Sequence, residues 1–322
     1  MATATKIGVL GAGHFGRFHA LKLAARGRLS GLHDADPARA AAVAAETGTP
    51  ALSEAALIER SDAVVVAVPT AHHHAHGMRV LEAGRHLFVE KPIAATVAQA
   101  EALVEAAAAR GLVLQVGHIE RHSAAIRALR ASGASRAGAL SFEAVRAAPF
   151  RPRGLDVSVV LDLMIHDLDL LLDLAGSPLA EVKAVGRAVM TSFPDFAAAQ
   201  LRFESGAAAT VTASRVSVGL ERRLRLLGPN GEVRVDFLAR SLEALRPGGA
   251  EAAPDMPGWG TDRATWTEHD SLEAEQAAFV ASIEDGAPVE ADGATGLRAL
   301  DAALRVEAAI AASEGPRRAP PG

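Results

Sequence analysis

Two groups of side chains in this sequence could move a proton at neutral pH. One is Lys91, which closely follows the apolar stretch His86–Val89, and the other is the pair Asp162 and His166. A helix would place that pair one turn apart on one face. A lysine at a strand end can stabilise a developing alkoxide, and a histidine oriented by a carboxylate can act as a general base. We therefore predict that Lys91, His166 and Asp162 are catalytic, the alternatives being a surface lysine and a core histidine.

The composition narrows the residue types that could carry the chemistry. The 322 residues include no cysteine and no tyrosine. This excludes a disulfide framework, a thiolate metal site, a cysteine nucleophile and a tyrosine acid. With 33 basic and 38 acidic side chains the formal net charge is −5, whereas a protein that neutralises nucleic-acid phosphates carries a basic excess. Lysine, histidine and aspartate remain for proton transfer, and we expect no nucleic-acid partner.

A glycine-rich turn near the start predicts a dinucleotide site. It follows a predicted strand and opens a predicted helix, so that its backbone N–H groups can hold a pyrophosphate. Asp34 ends the next strand, 21 residues after Gly13, where it would accept hydrogen bonds from the adenosine ribose and repel a 2′-phosphate. We therefore predict NAD in preference to NADP. The predicted cofactor contacts in this turn are Gly11, Gly13, His14, Phe15 and Gly16.

The elements that position these residues fall into two groups. Up to about residue 120, short apolar strands alternate with helices, which predicts a parallel sheet and a Rossmann domain over 1–120. Beyond it, short strands separated by turn residues predict an open, mainly antiparallel sheet in an α+β domain over 121–314. We expect a helix at 156–174, a loop at 247–265, closing helices at 270–285 and 293–313, and a flexible tail at 315–322.

Two more predicted strands end at the carboxyl edge of the parallel sheet, one just before Pro69 and the other just before Glu90. The residues at these two ends would meet the dinucleotide. From these ends we predict contacts to its nicotinamide half by Val68, Pro69, Thr70, His73, Glu90 and Lys91. The histidines at 72, 73, 74 and 76 also suggest a metal, because His72 and His76 have the spacing that shares a helical face. The glutamate of an HExxH motif is missing, so we predict no metal site, and we assign His73 to orienting its loop or capping the next helix.

No signal peptide or membrane-spanning stretch is apparent in the sequence. The start is short and polar, and the first apolar run leads directly into glycines. We therefore expect a cytoplasmic protein with no membrane partner.

Together these motifs resemble the glucose–fructose oxidoreductase, inositol dehydrogenase and MocA family. The resemblance covers nearly the whole chain, and its motifs are the glycine turn, Asp34, Pro69-Thr70-x-x-His73, Glu90-Lys91-Pro92 and Asp162-x-x-x-His166-x-x-Asp169. It implies a catalytic pair of Lys91 and His166, with Asp162 binding or orienting the substrate. It also implies a homodimer or homotetramer formed through the face of the C-terminal sheet. Met164 stands where the family often has glycine.

A narrower resemblance concerns the substrate. The segments 116–121 and 160–167 are similar to family members that oxidise UDP-N-acetylglucosamine at the 3-hydroxyl, before transamination in lipid A synthesis. Because arginine can bind phosphate bidentately, we predict substrate contacts by Arg121 and Arg153 beside those of Lys91, Asp162 and His166. Inositol, a free sugar and another UDP-sugar stay open as substrates. A non-catalytic dinucleotide sensor stays open as a different class of protein.

Overall fold

The computed structural model describes residues 4–132, 138, 140–152, 154, 157–267 and 269–313. The predicted tail at 315–322 and Arg153 lie outside these residues. Two compact units divide the chain, the first formed by residues up to His122 together with Asp270–Leu300, and the second by Ser123–His269 together with the residues from Asp301. The first unit therefore includes residues 270–300, which the predicted division at residue 120 placed in the second domain.

Nine helices run through the described residues. They are α1 (His14–Ala25), α2 (Pro37–Thr47), α3 (Glu54–Arg60), α4 (His73–Glu82), α5 (Val97–Arg110), α6 (Ala124–Ala131), α7 (Ile165–Ala175), α8 (Ser271–Glu284) and α9 (Gly293–Ser313). Polar side chains mark several starts, because Asp36, Ser53 and Thr96 accept backbone N–H groups at the starts of α2, α3 and α5. The short helix α3 was not predicted.

The first unit contains a five-stranded, wholly parallel sheet. Its strands are β1 (Ile7–Leu10), β2 (Leu29–His33), β3 (Ala63–Val66), β4 (His86–Val89) and β5 (Leu114–Val116). They lie in the order β2-β1-β3-β4-β5, which is that of a Rossmann half with its crossover after β2. The strands are buried almost throughout, as sheets covered on both faces are. The predicted parallel sheet is confirmed.

The second unit contains a nine-stranded sheet. Its strands are β6 (Ser141–Ala147), β7 (Leu179–Arg187), β8 (Phe196–Phe203), β9 (Ala208–Ser214), β10 (Glu221–Gly228), β11 (Gly231–Asp236), β12 (Ser241–Pro247), β13 (Glu251–Ala252) and β14 (Trp259–Thr265). Their order is β13-β14-β12-β11-β10-β6-β9-β8-β7. Only β6 and β9 pair in parallel among these neighbours. Burial alternates along β6 and β9, as expected when one face of a sheet is covered. The predicted, mainly antiparallel sheet is confirmed.

Two local predictions for this unit need correction. The segment 247–265 is not a loop throughout, because β14 pairs along the whole of β12 and carries the two-residue strand β13 at its other edge. Its glycines and prolines gave no strand pattern, and the strand is stabilised by its pairing with β12. The helix predicted at 156–174 begins as a wide π-helical turn over Val160–Met164 and continues as α7. In the described part of the chain, no helix has the length and apolarity that crossing a membrane requires.

Candidate active site

The glycine turn has the geometry of a phosphate cradle. Gly11 has φ +95°, and a Cβ there would lie 2.5 Å from the carbonyl oxygen of Ala67. A Cβ on Gly16 would lie 1.8 Å from the carbonyl oxygen of Gly11, so helix α1 can approach the turn only with glycine at that position. A Cβ on Gly13 would meet no atom within 4 Å. The protein itself leaves the space beside Gly13 open, as close approach of a pyrophosphate would require.

The start of α1 completes this cradle. Its N-cap is Gly13, which offers no side-chain acceptor to the first N–H groups of the helix. These groups carry the positive end of the helix dipole and suit an anion. The neighbouring side chains of His14 and Phe15 are exposed, and the ring of His14 stands edge-on to those of Phe15 and Phe18. The residues present therefore fit the diphosphate of a dinucleotide.

Asp34, at the end of β2, is tied to the same turn. Its Oδ2 accepts the backbone N–H of Ala12 at 2.6 Å, and its Oδ1 accepts that of Asp36 at 2.8 Å. The guanidinium of Arg39 also lies 3.4 Å from Oδ1. A carboxylate has about four lone-pair sites, so it keeps acceptor capacity for a ribose hydroxyl. The end of β2 and the glycine turn thus form one preorganised edge.

The loop after β3 is held by a buried histidine. Its residues Val68, Pro69 and Thr70 lead into a short 3₁₀ turn before α4. His73, only 1% exposed, has Nε2 2.8 Å from the carbonyl oxygen of Val68 and Nδ1 2.8 Å from that of Pro92. The imidazole therefore joins the loop after β3 to the loop after β4. The predicted role of His73 in orienting its loop agrees with these contacts.

Burial lowers the pKa of His73 below its ordinary value, although the two carbonyl acceptors and the charge of Glu90 oppose this shift. A carbonyl oxygen only accepts, so both ring nitrogens can donate together only in the imidazolium form. With the lowered pKa, the neutral ring at pH 7 donates to one carbonyl at a time.

Glu90 and Lys91 follow β4 at this edge of the sheet. Lys91 is half-buried, and its backbone N–H donates to Oε2 of Glu90 at 3.3 Å. Oε1 of Glu90 lies 2.9 Å from Nε2 of His19, a histidine of α1 with no exposed side-chain surface. Burial opposes ionisation of Glu90, but the hydrogen bond from His19 and the charge of Lys91 outweigh it and lower the pKa of Glu90. A largely buried carboxylate, with 12% of its side chain exposed, thus lies next to the predicted catalytic lysine.

The other histidines of the cluster serve different contacts. Nδ1 of His76 lies 2.8 Å from Oε1 of Glu54, which Arg79 also contacts. His73 and His76 therefore make separate contacts, His73 with two backbone carbonyl oxygens and His76 with a carboxylate. Among the described residues, no group of three or more histidine, aspartate or glutamate side chains is arranged to hold a metal ion.

Asp162 and His166 lie in the second unit, at the junction of the π-helical turn and α7. Both are half-buried, whereas Met164 and Ile165 between them are buried. Short π-helical turns often occur at functional sites. The backbone of Gly154 approaches the carboxylate closely, since a Cβ there would lie 3.1 Å from Oδ2 of Asp162. Asp162 and His166 thus lie four residues apart in one helical segment, and both keep some exposed surface.

Two buried ion pairs hold this segment. Arg146 on β6 binds Asp167, the neighbour of His166, through two bonds of 2.8 and 2.9 Å. Asp195 accepts the Nε–H of Arg215 at 2.7 Å, and Arg215 also donates to the carbonyl oxygens of Gly154 and Val157. The chain that leads into the π-helical turn is therefore anchored to the sheet by fixed charges.

No contact observed among the described residues tests the two arginines that were predicted to bind the substrate. Arg121 is 4% exposed and donates to the backbone carbonyl oxygen of Glu290 at 3.2 Å, inside the first unit. Its predicted role in substrate binding stays a prediction, as does that of Arg153, which lies outside the described residues. The predicted cofactor contacts all belong to the first unit, whereas Asp162 and His166 belong to the second.

Three residues of this site were not predicted. His19, Gln276 and Gly117 surround the carboxylate of Glu90 or its histidine partner. His19 lies three residues after Gly16 in a helix of mixed polarity, where the sequence pattern does not distinguish a buried histidine. Gln276 is 257 residues further along the chain, and no sequence signal connects the two.

A parallel sheet with a glycine-rich turn, followed in the chain by a mainly antiparallel sheet, is the architecture of the two-domain dehydrogenases. Residues 5–118 match the model of an oxidoreductase family with an NAD-binding Rossmann fold, and residues 130–234 match the C-terminal domain model of the same family. The chain belongs to the glucose–fructose oxidoreductase, inositol dehydrogenase and MocA family. It is an oxidoreductase, and its first unit is an NAD-binding Rossmann domain.

Similar proteins act on sugar or cyclitol hydroxyls, according to their names. A UDP-N-acetylglucosamine 3-dehydrogenase of Acidithiobacillus ferrooxidans is 42% identical, over 95% of this chain and 97% of that protein. An inositol 2-dehydrogenase of Acidothermus cellulolyticus is 31% identical, over 98% of this chain and 97% of that protein. A solved structure of the Acidithiobacillus enzyme superposes with a TM-score of 0.91 at 41% identity, covering 97% of this chain and 99% of that chain.

Proposed function

We propose that this protein uses NAD to oxidise a secondary hydroxyl of a sugar nucleotide, namely the 3-hydroxyl of UDP-N-acetylglucosamine. The observation that carries the proposal is the 42% identity to an enzyme of that name over almost the whole of both chains. The chain also keeps Lys91 and His166, which a non-catalytic sensor would not need. The 3-keto sugar formed is the kind of substrate that a transaminase consumes, as in lipid A synthesis.

The first unit supplies the cofactor contacts in this proposal. NAD, when bound, accepts a hydride at C4 of its nicotinamide. The N–H groups at the start of α1 bind the pyrophosphate, and the open space beside Gly13 admits it. Asp34 accepts hydrogen bonds from ribose hydroxyls and repels a 2′-phosphate, which favours NAD over NADP. The residues Val68, Pro69, Thr70, His73 and Glu90 line the nicotinamide half.

Three side chains carry the proton chemistry. His166 takes the proton of the substrate hydroxyl as the C–H bond breaks and the carbon gives up a hydride. Lys91 donates a hydrogen bond to the developing alkoxide and then to the ketone oxygen. Asp162 binds the substrate or orients His166. The alcohol thus becomes a ketone, with the hydride on the cofactor and the proton on His166.

We further propose that copies of the chain assemble through the exposed face of the nine-stranded sheet. Side chains of both signs line this face on β6 and β10–β12, among them Glu143, Arg225, Arg234 and Glu243. A surface with interspersed charges can complement a second copy of itself across a two-fold axis. Analytical ultracentrifugation of the full chain is expected to show a dimer or tetramer, and a monomer at micromolar concentration would contradict this part of the proposal.

Substrate choice tests the proposed function. The purified full chain is mixed with NAD and, separately, with UDP-N-acetylglucosamine, UDP-glucose, myo-inositol and glucose, and NADH is followed by its fluorescence. We expect the highest kcat/KM with UDP-N-acetylglucosamine. A higher value with myo-inositol would favour the activity of the inositol dehydrogenases instead, and no NADH with any sugar would favour a sensor.

A further inference from the structure

A chain of hydrogen bonds connects α8 to the catalytic edge of the first unit through α1. The imidazole of His19 lies at its centre, fully buried and edge-on to the ring of Phe88 at 5.1 Å. Nδ1 of His19 is 3.0 Å from Nε2 of Gln276, and Nε2 of His19 is 2.9 Å from Oε1 of Glu90. Neither His19 nor Gln276 belongs to the motifs that predict cofactor binding or catalysis.

The neighbouring groups determine which nitrogen of His19 carries the proton. The Nε2 of Gln276 also lies 3.2 Å from the backbone carbonyl oxygen of His19, which can only accept. The amide nitrogen, and not the amide oxygen, therefore faces His19 and donates to Nδ1. Nδ1 is then an acceptor, so the ring proton is on Nε2. His19 donates that proton to the carboxylate of Glu90.

The carboxylate of Glu90 has little freedom to move. A Cβ on Gly117 would lie 2.8 Å from its Oε2, so the backbone beside it is already in close contact. Oε2 also accepts the backbone N–H of Lys91. One oxygen is thus held by His19 and the other by the loop that carries the predicted catalytic lysine.

We propose that His19 is a positioning residue for the oxidation, held by Gln276 with its proton on Nε2 so that it fixes the Glu90 carboxylate against the Lys91 backbone. This proposal rests on the proposed function of Lys91. His19 would affect the reaction only through Glu90, because His19 itself is fully buried and contacts the carboxylate of Glu90.

The electrostatic surroundings of Glu90 require such a donor. The titratable groups that face it are His19 of α1, His73 of α4, Glu275 of α8 and the neighbouring Lys91. Burial favours the neutral carboxyl, and the donor on His19 is the strongest of the contributions that lower the pKa of Glu90. Loss of this donor would leave a buried carboxyl that keeps its proton to higher pH and no longer holds the lysine loop in place.

Three variants separate the hydrogen bond from the packing. His19→Phe keeps the ring against Phe88 but has no donor, whereas His19→Gln places an amide N–H near the position of Nε2. Phe279→Leu is the matched control, because Phe279 also stands edge-on to Phe88, at 5.6 Å, and has no polar group. The pKa of Glu90 is measured by ¹³C-carboxyl NMR on the full chain, with its signal assigned from Glu90→Gln.

We expect the Glu90 pKa to rise by about one unit or more in His19→Phe and to stay at the wild-type value in His19→Gln and Phe279→Leu. In the kinetic assay, kcat of His19→Phe should fall roughly tenfold or more, with little change in the KM of the sugar nucleotide. The acidic limb of its kcat–pH profile should move to higher pH with the carboxyl. In a Glu90→Gln background, the same His19 substitution should cause no further loss.

A folded His19→Phe variant with an unchanged Glu90 pKa would overturn the proposal. If that variant does not fold, His19→Leu replaces it, because leucine fills the buried position without a donor, and an unchanged Glu90 pKa in that variant would equally overturn the proposal. The NMR titration needs no substrate. Absence of sugar turnover by the wild-type protein would therefore refute the proposed function, while the titration still decides whether His19 controls Glu90.

Discussion

The carboxylate of Asp34 accepts a hydrogen bond from the backbone N–H of Ala12, at 2.6 Å. The acid that ends β2 is thereby fixed to the middle of the glycine turn that ends β1. In the proposed binding mode, the pyrophosphate of the dinucleotide fills the turn and its adenosine ribose meets this carboxylate. That mode would rest on one preorganised contact between the turn and Asp34.

Replacing Asp34 should weaken the binding of NADH more than that of NADPH. Asp34→Ala removes a charged acceptor for the ribose hydroxyls, which is expected to raise the Kd of NADH by roughly tenfold or more. It also removes the charge that repels a 2′-phosphate, so the preference for NADH should narrow. Fluorescence titration measures both constants, with Glu101→Ala, at an exposed acid of α5, as the control that should leave both unchanged. Tighter binding of NADPH than NADH by the wild-type protein would contradict the assignment of Asp34.

Lys91 should matter far more for turnover than for cofactor binding, to which it would add one contact among many. We expect Lys91→Ala to reduce kcat by two or more orders of magnitude, on the order of the loss seen when one oxyanion donor is removed. The Kd of NADH should stay near the wild-type value. Lys183→Ala, at an exposed lysine on β7, is the matched control and should keep full activity. Near wild-type turnover by Lys91→Ala would remove this lysine from the mechanism.

The buried pair of Asp195 and Arg215 should contribute strongly to stability. The carboxylate accepts the backbone N–H groups of three residues, at 189, 190 and 191, as well as Arg215. Burial raises its pKa, but these donors outweigh burial and hold the pKa well below the usual range. Asp195→Asn leaves Arg215 buried without its counter-charge, which is expected to cost about 3–5 kcal/mol of unfolding free energy.

The effect of Asp195 depends on pH in a definite direction. A carboxyl with a lowered pKa in the folded state stabilises the protein above its unfolded-state pKa, near 4, and loses that contribution as the pH falls further. The gap between wild type and Asp195→Asn in urea unfolding should therefore be complete at pH 7 and shrink below about pH 4. An equal gap at both pH values would show that packing, and not charge, explains the effect.

Glu275 should make the protein less stable as the pH rises, which is opposite to the pH dependence expected from Asp195. Its side chain is fully buried, and its two oxygens have no hydrogen-bond partner among the described residues. Burial, together with the charge of Glu90, raises its pKa well above the ordinary value. Between the unfolded-state pKa and the folded-state pKa, Glu275 is protonated in the folded protein and ionised in the unfolded chain. The free energy of unfolding therefore falls as the pH rises through this range.

Removing this titration should stabilise the protein at high pH. The unfolding free energy of Glu275→Gln should exceed that of wild type by a margin that grows by about 1.4 kcal/mol per pH unit between pH 5 and the folded-state pKa. Glu273→Gln, at an exposed glutamate of the same helix, serves as the control and should show no such growth. Parallel stability curves for Glu275→Gln and wild type would mean that Glu275 titrates normally in the folded protein.

The sequence predicted those features that local patterns encode. Short apolar strands alternating with helices predicted the parallel sheet, and turn residues between short strands predicted the mainly antiparallel sheet, in which Gly228–Gly231 joins β10 and β11 as a hairpin. The strand β14 was missed because its stability comes from pairing with β12, which no local pattern records. The short helix α3 was missed because its seven residues carry little periodic signal.

The same limit applies to the candidate site. Glycine spacing and strand ends predicted functional positions for Gly11, Asp34 and Lys91, because backbone geometry limits what such positions can do. The contacts of His19 with Glu90 and Gln276 come from tertiary packing across 71 and 257 residues of sequence. Side-chain burial decides their chemistry, and a single sequence does not show it.

Transfer of a labelled hydride tests the central claim most directly. The wild-type protein is incubated with NAD and UDP-N-acetylglucosamine that carries deuterium at C3 of the sugar, and the reduced cofactor is examined by mass spectrometry. The proposed function predicts deuterium in the NADH formed, together with a slower rate than with the unlabelled substrate. Reduced cofactor without deuterium, or no reduced cofactor at all, would contradict oxidation at this hydroxyl.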